Sequence, residues 1–225
     1  MDIASINSKV MKLWESQEIT TRLPHIYPEN LKTNCLLFIG MNPSFSRRGY
    51  QEILRNTDYK DILDELDDFV KFRKLSEVQM NLHMEIEKIA KEEYRYFSKF
   101  KDIAKQTGLE WEHIDLLFVR DTNQQNVERL LREKNEFILN QVTLSIDLIE
   151  LIDPVIIVVE NAFASKFLKE RLKLKWDENK GVHMYNEKPV FLSGMLTGQR
   201  ALDLGSYKRL IWHINYVNQH QFKVK

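Results

Sequence analysis

Apolar residues follow two rhythms along the chain. Near its start, Ile6, Val10, Met11 and Trp14 recur every three or four positions, which predicts a short amphipathic helix from Ile6 to Trp14. Elsewhere they form unbroken runs: Leu36-Leu37-Phe38-Ile39 ahead of Gly40, then Ile114 to Val119, Val155 to Val159 and Val190 to Leu192. A run with no polar alternation suits a strand covered on both faces, which is the habit of parallel sheets. Pro24 and Pro28 hold the chain extended ahead of the first run, because each fixes its own φ and turns the preceding residue away from helix.

Residues 50–107 carry no comparable run. Asp, Glu, Lys, Leu and Phe recur there at helical spacing, most regularly from Ser76 to Gln106, and predict two or three helices. Ser76 and Gln79 have capping-box spacing, and Gly108 suits the left-handed residue that ends the last of these helices. Further helices are expected from about Val127 to Asp153, interrupted near Lys134-Asn135 and stopped by Pro154, from Phe163 to Leu172, and from about Ser206 to Tyr216 with Ser206 as cap. Strands alternating with helices predict an α/β fold: a three-layer α/β/α arrangement around a central four-stranded, mainly parallel sheet. The reading is of a single domain over residues 1–225 with a helical insertion at about 50–107. Right-handed crossovers place all the strand C-terminal ends on one edge, where open sheets bind ligands.

Composition narrows the classes of function. Lys plus Arg and Asp plus Glu both count 33, so the net charge is zero and any attraction to nucleic acid must be local. Cys35 is the only cysteine, which rules out an intramolecular disulfide and a multi-cysteine metal site and fits a reducing compartment. Met1-Asp2-Ile3-Ala4 carries acid where a signal peptide needs base, and no apolar run nears the ~20 residues that span a bilayer, so a cytoplasmic protein without a membrane partner is expected. Gly-x-Gly-x-x-Gly and Gly-x-x-x-x-Gly-Lys turns are missing, which removes the usual dinucleotide and P-loop sites. His25, His183 and His213 stand apart, without ligand spacing, and read as structural or surface residues; no metal is predicted. The charges of residues 85–93, Glu87 and Lys88 among them, read as a solvated helix face, and His83 reads the same way.

Chemistry is best carried by the loops that follow the strands. Gly40-Met41-Asn42-Pro43-Ser44-Phe45-Ser46 joins a residue that permits a tight exit, a stiffening proline and an amide able to donate and accept; by spacing alone it is equally a turn. The second run leads into Arg120-Asp121-Thr122-Asn123-Gln124-Gln125-Asn126, and the fourth into Ser193-Gly194-Met195-Leu196-Thr197-Gly198-Gln199-Arg200. Arg47, Arg48 and Arg55 make a local basic patch that either grips phosphates or is plain solvated surface.

Gly40-Met41-Asn42-Pro43 resembles the first motif of the uracil-DNA glycosylase superfamily, Gly-x-Asn-Pro after an apolar strand, in its mismatch-specific and single-strand-selective branches. The resemblance covers roughly residues 30–45 and 110–216, and the segment 50–107 has no counterpart. It implies a uracil-DNA glycosylase-like fold and a DNA base-excision hydrolase that needs no cofactor, with DNA, single- or double-stranded, as partner. Asn42 would be the catalytic residue, holding the water that attacks the sugar, and Gly40, Met41, Pro43 and Ser44 would line the base site. Phe45 would stack on a flipped base, a task Tyr50 could share. Asn123 would read the base edge, with Gln124 and Asn126 as substitutes, unless all three only cap the next helix. Where the family has His-Pro-Ser this chain has Ser193-Gly194, so charge on the departing base would fall to backbone N–H groups, Ser193, Thr197 or Arg200, with Gly194 allowing close approach. The missing histidine also fits a second expectation, a divergent binder of nucleic acid or nucleobase that does not cleave.

Overall fold

A computed structural model describes residues 2–16, 22–121, 123–198 and 200–221. In chain order the elements are α1 (Ile3–Glu15), β1 (Leu36–Gly40), α2 (Arg47–Leu54), α3 (Leu66–Phe69), α4 (Glu77–Glu93), α5 (Ser98–Thr107), β2 (Trp111–Asp115), α6 (Gln124–Glu133), α7 (Asn135–Ile152), β3 (Ile156–Val159), α8 (Ala162–Arg171), β4 (Lys175–Asp177), β5 (Val182–Tyr185), β6 (Lys188–Leu192) and α9 (Leu204–Gln221). They group into two compact units, residues 1–31, 42–97 and 115–151 in one and residues 32–41, 98–114 and 152–225 in the other. The protein is α/β. Among the described residues no helix is long and apolar enough to cross a membrane.

The second unit holds a six-stranded sheet in the order β2-β1-β3-β6-β5-β4. β1 runs parallel to β3, with Leu36 opposite Ile156, and β3 runs parallel to β6, with Ile157 opposite Val190. Every residue of β1 and β3 is buried, as an unalternating run requires. The runs at Leu36, Val155 and Val190 are thus three contiguous strands, β1, β3 and β6, of a sheet that is larger than the expected four strands and mixed. β4 and β5 extend it as an antiparallel hairpin against β6. Neither is an apolar run, since Lys175-Trp176-Asp177 and Val182-His183-Met184-Tyr185 are mostly exposed or half-buried. Their turns are made by local chemistry instead: the Asp177 carboxylate accepts from the backbone of Asn179 and Lys180 at 2.9 and 3.0 Å, and Gly181 takes φ +65°. Asn186 and Glu187 both take positive φ in the two-residue turn between β5 and β6.

Helices α5 and α9 pack in this unit. The Phe100 ring meets Phe38 edge-on at 4.8 Å, and the Tyr207 hydroxyl donates to Asp102 Oδ2 at 2.7 Å. α9 starts two residues earlier than the sequence suggests, and its cap is Asp203 rather than Ser206. Two carboxylate oxygens let Asp203 take both the backbone N–H and the hydroxyl of Ser206, at 3.0 and 2.6 Å.

In the first unit α1 buries Ile3, Ile6, Val10, Met11 and Trp14 along one stripe. Asn7, on the same stripe, is buried and exchanges two hydrogen bonds with the backbone of Tyr27. The capping box of α4 forms between Ser76 and Gln79, and Gly108 ends α5 at φ +68°. α6 and α7 meet at Lys134, where the interruption was expected.

The second apolar run departs from expectation. β2 covers Trp111–Asp115, whereas Leu116, Leu117, Phe118 and Val119 are buried without being a strand. Buried backbone polar groups need partners, and side chains supply them here. Gln141 Oε1 accepts from the N–H groups of Phe118 and Val119 at 2.8 and 3.2 Å. The Ser145 hydroxyl donates to the Leu116 carbonyl at 2.8 Å, and the His25 N–H donates to the Phe118 carbonyl at 2.8 Å. Gln141 and Ser145 sit one turn apart on α7, so one helix face satisfies the segment in place of a neighbouring strand.

Candidate functional site

The segment just described ends on Asn42. Its amide nitrogen donates to the carbonyls of Val119 at 3.2 Å, Pro43 at 3.2 Å and Asp121 at 2.7 Å. The Asp121 N–H returns a bond to the Pro43 carbonyl at 3.2 Å. Three carbonyls around one end of a carboxamide make that end the nitrogen, since an oxygen there would be repelled. The amide oxygen points the other way by covalent geometry and is the end that can accept from a water or a ligand. Asn42 is therefore a staple between two loops, and it is half-buried rather than sealed in.

Arg120, flanked by two of the carbonyls that Asn42 holds, is a buried anchor at the start of the polar stretch that follows the second run. Its guanidinium forms an ion pair with Glu87 of α4 and lies 3.5 Å from His25 Nδ1, which itself lies 3.4 Å from Glu87 Oε2. Burial alone would raise the Glu87 carboxyl, but Arg120 and then His25 hold it below its ordinary value. Burial likewise works against the Arg120 charge, and Glu87 outweighs it, leaving the guanidinium more firmly protonated than usual. Tyr50 shares this interior, and burial pushes its phenol up to about 12. His83, buried at 5% exposure and stacked on Phe69 at 4.0 Å, is pushed down to about 4 by burial and then by Arg120. Glu87 and His83 are thus corrections to the solvated-face reading. Helical spacing already carried the signal, since Met80, His83 and Glu87 fall on one inward stripe of α4.

No protein-family model and no curated protein matches the chain. Gly40 is the buried last residue of β1, inside the strand rather than in a turn, and Met41 is buried beyond it. Pro43 is buried and Ser44 exposed. Ser46 caps α2 by accepting from the Gly49 N–H at 3.2 Å. Phe45 is half-buried, with the Arg22 guanidinium 4.4 Å over its ring and Tyr50 5.7 Å away, so one π face is already covered. Asn123 caps α6 by accepting from the Gln125 N–H at 3.0 Å, and the Asn126 amide donates to Asp121 Oδ2 at 3.1 Å. Asn123 is thus the cap of α6, while Asn126 lies inside that helix. Thr122 and Gln199 lie outside the described residues.

In the unit that holds the sheet, the parallel strands β1, β3 and β6 end on one edge, with the Glu160 N–H on the Ile39 carbonyl and the Ser193 N–H on the Val159 carbonyl. Glu160, directly after β3, is buried with its Oε1 3.7 Å from His113 Nε2 of β2. That carboxylate was overlooked, although its place right after the clearest apolar run marked it. Ser193 and Gly194 line a cavity of 420 Å³ together with Trp176, Phe191, Arg209 and His213. The His213 Nε2 is 2.7 Å from the Lys180 carbonyl and so carries the proton. Thr197 is half-buried and Arg200 exposed in the loop that folds back through Leu202 N–H to the Met195 carbonyl. Among the described residues no group of three or more His, Cys, Asp or Glu is set to hold a metal ion.

Proposed function

We propose that the protein hydrolyses the N-glycosidic bond of a deaminated or damaged base in DNA, with a water held by the amide oxygen of Asn42. The orientation of that amide carries the reading. Its nitrogen is occupied by the carbonyls of Val119, Pro43 and Asp121, so its oxygen is a fixed acceptor, which is what a water nucleophile needs for alignment. The Gly40-Met41-Asn42-Pro43 resemblance implies the same task for this residue. An amide is too weak a base to take a proton, so Asn42 only positions the water. The bond between the sugar anomeric carbon and the base nitrogen breaks with its electron pair going to the base, the water oxygen bonds to that carbon, and the released proton passes to the base or to solvent.

A second reading is favoured by a specific observation. Asn123 is committed to capping, Phe45 is partly covered by Arg22, and Ser193-Gly194 brings no histidine, which together fit a protein that holds nucleic acid without cleaving it. Incubation with single and double strands containing uracil, hypoxanthine or a thymine mismatch, followed by alkali, separates the two. Strand breaks that vanish in a folded Asn42→Ala variant support the hydrolase. Intact strands with every substrate refute it.

A further inference from the structure

Helix α9 turns an unusual face to solvent. Lys208, Trp212, Tyr216 and His220 follow one another at four-residue steps and make a single stripe, on which Trp212 is 66% exposed and Tyr216 38%. The rings are already ordered as a ladder. Trp212 stacks on Tyr216 at 5.5 Å and 15°, and Tyr216 stacks on His220 at 4.3 Å and 29°. The His220 ring is further held by the contact of its Nδ1 with the Tyr216 carbonyl at 2.7 Å. From Leu204 to Gln221 the helix contains no Asp or Glu, while it contains Lys208, Arg209, His213 and His220.

We infer that this face of α9 is a platform for single-stranded nucleic acid. Three features select that partner. Parallel rings with the Trp212 plane at the open end offer a face on which a base continues the stack, and every base has a π face to give. Duplex DNA hides those faces inside its own stack, so an unpaired strand is required. Lys208, one turn before Trp212, and Arg209 beside it supply positive charge for phosphates; residues 204–221 contain no acid, and the cap Asp203 faces Arg209 rather than the ring stripe. A second copy of the chain would gain no such complement along the stripe, because Lys208, Trp212, Tyr216 and His220 meeting their counterparts bring cations and no carboxylate. Arg209 also lines the cavity that Trp176, Phe191 and His213 complete, so the charged edge of the platform continues into a concave surface. The platform deepens the nucleic-acid part of the proposed function but needs no chemistry at Asn42.

The full chain is titrated with a short fluorescein-labelled oligothymidylate by anisotropy, at low and at raised salt, with sedimentation of the free protein alongside. The expected result is salt-sensitive binding that weakens about tenfold or more in Trp212→Ala and is largely retained in Trp212→Phe, which keeps a ring. Lys208→Gln and Arg209→Gln each flatten the salt dependence by about one counterion. Oligothymidylate carries no deaminated or mismatched base, so the anisotropy reads the platform without hydrolysis at Asn42 and the two readings fail separately. Equal affinity in Trp212→Ala overturns the inference, as does absence of binding by wild type at low salt. So does wild-type self-association that Trp212→Ala abolishes, since the stripe would then be a contact between copies.

Discussion

Replacing His83 with Phe tests the buried interior behind Asn42. The imidazole is 5% exposed, stacks on Phe69 at 4.0 Å and leaves its Nε2 without a hydrogen-bond partner, so a phenyl ring removes no bond from that atom and keeps the stacking. In the folded chain its proton binds only near pH 4, held down by burial and then by Arg120, against an ordinary 6.5. Between those values the unfolded chain binds a proton that the folded chain refuses, so stability falls as pH drops below 6.5. The loss attributable to this residue is ~0.2 kcal/mol at pH 7, ~2 kcal/mol at pH 5 and ~3 kcal/mol at pH 4. Urea unfolding followed by circular dichroism at pH 7 and pH 5 measures it. The stability of wild type relative to His83→Phe should worsen by ~2 kcal/mol between the two, because other acid-sensitive groups, Glu87 among them, are common to both chains. Parallel losses in the two proteins would refute the burial argument.

The other expectations follow from single contacts. Glu87→Gln removes the carboxylate that neutralises the buried Arg120 and should cost about 3–5 kcal/mol at pH 7; a loss under about 1 kcal/mol means that water reaches the guanidinium. Gln141→Leu leaves the N–H groups of Phe118 and Val119 without their acceptor and should cost about 2–4 kcal/mol in chemical unfolding, with faster hydrogen exchange at those two amides. Glu187→Gly relieves a residue at φ +66° in the β5–β6 turn and should raise stability by roughly 0.5–1 kcal/mol, a gain absent if the hairpin turn is not of this kind.

Local physics written in the chain was enough for the elements whose residues answer to their neighbours in sequence. The apolar runs at Leu36 and Val155 became buried parallel strands, the Ser76–Gln79 capping box closed as spaced, and Gly108 ended its helix in the left-handed region. The acid-free, aromatic stripe of α9 is likewise readable from four-residue spacing once the helix is given. Tertiary structure alone decided where backbone and charge found partners. Nothing near Leu116 foretells that Gln141 and Ser145 will take the hydrogen bonds of a neighbouring strand, and nothing near Glu87 names Arg120, 33 residues away, as the cation that lets it stay ionised in the interior. Asn42 shows both levels at once. Its motif marked it from the sequence, but the direction of its amide was set by carbonyls 77 and 79 residues further along, because a buried carbonyl takes whichever donor the folded chain brings to it.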